Sequence, residues 1–147
     1  MFESLKSLFA APAPVFEEPE IDSRVAVAAL LVHAAKTAGP VTYEEIRSID
    51  RSLARHFGLN VLEAMKLRAD GERLDRARAD TGSIIASIRR ALNPEERFGV
   101  LSSLWEVILL SGINSPHKDA LLYATRTGFQ IPGDEAHIAR EHAQLAM

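Results

Sequence analysis

Apolar positions recur along this chain at intervals of three and four residues, the spacing that gathers them on one face of an α-helix. From Val25 to Ala35 they are nearly continuous, as expected of a central helix covered on several sides, and Asp22 or Ser23 stands where a cap would start it. Ile46, Ile49, Leu53 and Phe57 mark a second helix that Thr42 opens and Gly58 stops, with Glu45 at the capping-box position three residues after Thr42. Asn60 opens a third segment carrying Val61, Ala64, Met65 and Leu67. Asp70-Gly71 interrupts it, so the pattern fits either one exposed helix with a weak middle or two short ones; a mid-helix glycine costs only about 1 kcal/mol. Ile84, Ile85, Ile88, Ala91 and Leu92 predict the next helix, and Asn93-Pro94-Glu95-Glu96 is a strong start signal for the one after it. There Phe98, Leu101, Leu104, Trp105 and Ile108 form the clearest stripe in the chain, which places Trp105 in the core. Ser115-Pro116 restarts the chain into a segment with Leu121, Leu122, Ala124 and Thr125 inside and Gly128 as terminator. A weakly apolar last segment covers about 134–145, and no run of β-branched residues alternates with period two, so the fold class is all-α.

Two stretches share one build. Leu30 to Gly39 and Leu104 to Gly112 are apolar helical segments ending at a glycine, each followed by a short turn and by a Thr or Ser that opens another helix, Thr42 in one case and Ser115 in the other. This is a duplicated helical hairpin, an arrangement able to bring two turns together into one shared site. The residues in those turns are nearly all neutral, so the pattern specifies an architecture far better than a chemistry.

Residues 1–21 read differently from the rest. Phe2, Leu5, Leu8 and Phe9 fall on one helical face, and Pro12, Pro14 and Pro19 with Glu17, Glu18 and Glu20 form an extended, acidic linker. The expectation is an auxiliary segment over 1–21, with a docking role or a weak peripheral membrane contact through residues 1–10, joined to a single helical domain over 22–147. The whole chain of 147 residues is long enough to bury about two thirds of its unfolded surface without staples. It has no cysteine, which removes thiolate nucleophiles, disulfide frameworks and Cys-ligated zinc. A net charge of -3 provides no field that would steer it to nucleic acid or an anionic membrane. The longest apolar run, Val25 to Ala35, is broken by His33 and falls short of the ~20 residues that span a bilayer.

The body resembles the TerB-like (tellurite-resistance) helical domain. The resemblance is carried by Leu30-Leu31-Val32 through Gly39, Glu44-Glu45, Arg55-His56-Phe57-Gly58-Leu59, and above all Leu92-Asn93-Pro94-Glu95-Glu96-Arg97 with Leu104-Trp105-Glu106-Val107. It implies a compact bundle of about seven helices in which the two hairpins are pseudo-repeats. It further implies a non-catalytic bacterial, cytoplasmic interaction module with a protein partner and a link to a stress or tellurite response. In that family both turns typically carry an aspartate before the glycine, with further acids beyond, giving carboxylate clusters suited to a hard divalent cation. Here the aspartate positions are Ala38 and Ser111, Pro40 and Ile113 hold the next ones, and the second acidic pair has become Lys118-Asp119. A divalent-metal sensor using the inter-helix turns is therefore the disfavoured alternative, since only Glu44, Glu45 and Asp119 remain and Lys118 adds a positive charge.

No other constellation points to chemistry. His33, His56, His117, His137 and His142 include no pair at i,i+4, and there is no nucleophile elbow, Walker loop or dinucleotide fingerprint. Lys66, Arg68, Arg73, Arg76 and Arg78 are interleaved with Asp70, Glu72, Asp75 and Asp80, the pattern of a solvated helix face and not of a nucleic-acid surface. The expectation is no catalytic residue, no metal ligand, no cofactor and no enzymatic activity.

Overall fold

Side-chain caps set where the helices begin. In the computed structural model, which describes residues 21–37, 39–77, 80–112 and 115–147, Asp22 caps α1 (Ser23–Lys36), Thr42 caps α2 (Tyr43–Phe57) and Asn60 caps α3 (Val61–Arg76). Asp80 then caps α4 (Thr81–Ala91), Asn93 caps α5 (Pro94–Ser111) and Ser115 caps α6 (Pro116–Gly128). The last helix, α7 (Gly133–Ala146), follows Pro132 without a side-chain cap. Three of these starts are reciprocal capping boxes, Thr42 with Glu45, Asn60 with Glu63 and Asn93 with Glu96, each satisfying two backbone N–H groups that a helix start otherwise leaves unpaired. The described residues thus form seven α-helices and no strand, the all-α class expected from the pattern. The amphipathic segment, Ala38 and Ile113 lie outside the described residues.

The nearly continuous apolar run of α1 has the predicted consequence. Residues Ala26 to Val32, Ala34 and Ala35 are all buried, and α1 is packed on by α2, α3, α4 and α5. Its closest neighbour is α3, and the reason is Gly71. A Cβ built there would stand 2.6 Å from the Ala28 Cβ and 2.8 Å from the Ala29 backbone nitrogen. The glycine that reads in sequence as an interruption lies buried within one unbroken helix, where it lets two backbones cross closely. His33 Nδ1 and Lys36 Nζ, each 3.0 Å from an Asp75 carboxylate oxygen, tie the far end of the same pair.

The two hairpins, α1/α2 and α5/α6, meet through contacts of α1 and α2 with α5. Gly39 and Gly112 both have positive φ, at 118° and 66°, the region that favours glycine at a helix exit. Helix α7 lies back along α5, burying Ala139 and Ala143, and Ser102 donates to the Ala139 carbonyl at 3.2 Å. Two sequence expectations change here. Trp105 is half-buried at the rim of the core instead of within it, its ring covered by the Arg140 guanidinium 5.1 Å from the centroid. Ala124, expected inside, is exposed, while Thr125 beside it is buried; α6 does end at Gly128, which lies against Ile85 of α4, whose methyl would stand 2.3 Å from a Cβ, and Gln130 takes the positive φ, at 59°.

Candidate functional site

The duplicated hairpins do bring charged residues of their two second helices within electrostatic reach. Glu45, in the first turn of α2, is buried and accepts the Thr42 N–H at 2.8 Å. Lys118, in the first turn of α6, is only 3% exposed and donates to the Ile108 carbonyl at 3.4 Å. That carbonyl lies in the last turn of α5, where a cation is favoured by the helix dipole, and it also accepts the Ser111 hydroxyl at 2.9 Å. Burial pushes the Lys118 ammonium below the ordinary lysine range, and the Glu45 carboxylate opposes that shift. Glu44 and Asp119 remain exposed.

This arrangement does not fit a hard divalent cation. Calcium asks for six to eight oxygens with several carboxylates, and no cluster of three or more potential acid or histidine ligands forms among the described residues. Ser111 offers a neutral hydroxyl, which donates to the Ile108 carbonyl, and the buried Glu45 carboxylate acts electrostatically on the Lys118 ammonium.

A second polar cluster, which the sequence pattern did not reveal, joins α2 to α5. The Ser103 hydroxyl lies 2.8 Å from His56 Nε2, and Arg55 donates to the same hydroxyl at 3.3 Å and to Glu106 Oε2 at 3.5 Å. All these donors are satisfied when Ser103 accepts from Arg55 and donates to a neutral His56. Neutrality is expected, because burial and the neighbouring Arg55 charge hold the His56 pKa at about 4, against a smaller opposing effect of Glu96. Burial also raises the Glu106 pKa, against the pull of Arg55 and Arg51. A Ser–His contact of this length is the geometry of an activated nucleophile. Yet Ser103 is 0% exposed, so no substrate carbonyl reaches its oxygen, and the cluster serves as a satisfied polar join between helices. Only its spacing on α2 and α5 after folding brings it together; Arg55-His56 and Ser103 are 47 residues apart in sequence at the histidine contact.

One apolar groove open to solvent lies on α2 and α3. Tyr43, Ile46, Ala54, Val61, Ala64 and Met65 line a groove of about 400 Å³, with Arg47, Arg51 and the Arg68–Asp50 pair along it. Val61 is 76% exposed and Tyr43 68%, a degree of exposure unusual for neighbouring large apolar side chains. The model of the family described as "Tellurite resistance protein TerB" matches residues 24–141. The chain belongs to the TerB family. No curated protein and no solved structure matches it. The matched residues take in both hairpins of this TerB-family domain, the Glu45–Lys118 neighbourhood and the groove. Two of the basic residues of α3 are paired with acids: Arg68 bonds Asp50 at 2.6 Å and Glu72 at 3.2 Å, and Arg73 pairs with Asp70. No helix among the described residues is long and apolar enough to cross a membrane.

Proposed function

We propose that this TerB-family chain is a non-catalytic interaction module whose α2/α3 groove receives an amphipathic helix of a partner protein. The observation that carries the reading is the exposed apolar lining of the groove, Tyr43 on α2 with Val61 and Met65 on α3. The exposed arginines Arg47 and Arg51 favour a partner helix whose apolar face is flanked by acids. Absence of catalysis belongs to the same reading and is supported by the sealed Ser103. A bacterial, cytoplasmic setting and a role in a stress or tellurite response rest on the family's name alone. The alternative of a divalent-metal sensor at the inter-helix turns is weakened by Lys118, whose ammonium stands near the buried Glu45 carboxylate.

The test is a partner identified with the full chain and then titrated against it as a purified protein. Val61→Asp with Met65→Asp is expected to lower its affinity by tenfold or more while leaving the helical circular dichroism unchanged. An unchanged affinity in that variant removes the groove as the docking surface.

A further inference from the structure

The amphipathic segment at residues 2–9 has one apolar face, and the α2/α3 groove has an apolar lining open to solvent. We propose that this segment is the groove's resident occupant, folded back onto its own chain so that a partner must displace it. The inference rests on the docking reading above and adds its regulation.

Position, reach and charge support this occupant over a second copy of the chain. The segment is joined to the body at Ile21, just before α1, and the Arg24 side chain of the first turn of α1 lies over the Phe57 ring at 5.5 Å. Phe57 ends α2, next to the Ala54 and Val61 end of the groove. The attachment point Ile21 is held against α4, its carbonyl accepting the Ser87 hydroxyl at 3.1 Å, and Phe57, three residues past Ala54, is within reach of the neighbouring Arg24 side chain. Its ten residues, 11–20, extend to about 31 Å when held in the conformation that Pro12, Pro14 and Pro19 favour. The groove runs from Tyr43 to Ala54 along α2, roughly 16 Å, and a helix over Phe2 to Phe9 is about 12 Å long. Tether and occupant both fit. Within residues 2–9 Glu3 and Lys6 balance, and the surplus acids Glu17, Glu18 and Glu20 lie on the tether, so the attraction to Arg47, Arg51 and Arg68 of the groove, set against Asp50, acts through the tether.

A tether this short holds the segment at an effective concentration on the order of millimolar. An intrinsic dissociation constant about a tenth of that fills the groove about ten to one, and a competing partner is weakened about tenfold. Even a weakly docking segment then competes effectively with a partner.

The experiment uses the full chain with a photo-crosslinking phenylalanine analogue in place of Tyr43 and, in a second variant, of Met65. Irradiation is expected to join either position to residues 2–9 of the same chain, with a yield that tenfold dilution leaves unchanged. Adding Leu5→Ser and Leu8→Ser is expected to cut that yield about tenfold and to raise affinity for the groove's partner by a similar factor. Adducts between chains that fade on dilution would overturn the proposal in favour of a second copy. Absence of adducts to residues 2–9 would overturn it as well, and co-sedimentation of that chain with anionic phosphatidylserine vesicles would then assign the segment to a lipid surface. Loss of the crosslink with groove-dependent partner binding intact sinks this inference alone. A crosslink without any groove-dependent partner upholds the occupancy and sinks the partner reading together with the displacement.

Discussion

Gly71 shows most directly how a single residue changes meaning between chain and fold. In isolation, glycine to alanine in the middle of a helix gains roughly 1 kcal/mol of helix propensity. In this fold the added methyl would meet the Ala28 Cβ and backbone of α1 at under 3 Å, where backbone has little room to yield. Gly71→Ala is therefore expected to destabilise the protein by about 1–3 kcal/mol, read as a lower denaturant midpoint with an unchanged slope. A stabilised variant would show that α1 and α3 separate easily and that the close crossing is not needed. Trp105 makes the converse point. Its place on the stripe was legible, but its depth was not, because Arg140 arrives from α7 and holds the ring at the edge of the core.

At the scale of elements, the hairpins were visible as a repeat, and their glycines, caps and stripes are local properties that each segment carries by itself. The site between them has a different origin. Glu45 and Lys118 come from different hairpins, and their electrostatic coupling depends on how α1 and α2 pack against α5. Neutral Ser111 and cationic Lys118 motivate a prediction about metal. Calorimetric titration of calcium or magnesium into metal-free protein is expected to give no saturable heat at submillimolar metal, and a one-site isotherm would overturn this. Lys118 also shows why a substitution in a turn is hard to interpret from sequence. A lysine at a helix start is unfavourable to that helix's own dipole, and the compensation is the Ile108 carbonyl at the end of a different helix.

For the molecule as a whole, the α2/α5 join ties stability to pH. An unfolded His56 takes its proton near pH 6.5, whereas the folded one does so only near 4. Between those values the unfolded chain binds the extra proton, so this group's contribution makes the folded state more stable as pH rises from about 4 to about 6.5. Glu106 runs the other way, because its raised pKa contributes stability that is lost as pH rises through the folded value. Chemical denaturation across pH 4 to 7 is expected to show the rise in the native protein and a flatter profile in His56→Gln; matching profiles would exclude His56 as its source. The sequence by itself determined the helices, their caps, the all-α class and the repeat, because period, cap and turn chemistry act within a few residues. Only the tertiary structure decided that Gly71 is a packing residue, that Ser103 and His56 meet and are sealed, that Lys118 stands near Glu45, and that Tyr43, Val61 and Met65 share one open groove. Each of these depends on which faces of distant helices come into contact, and that is fixed by the joint burial of the seven described helices instead of by any one segment's pattern.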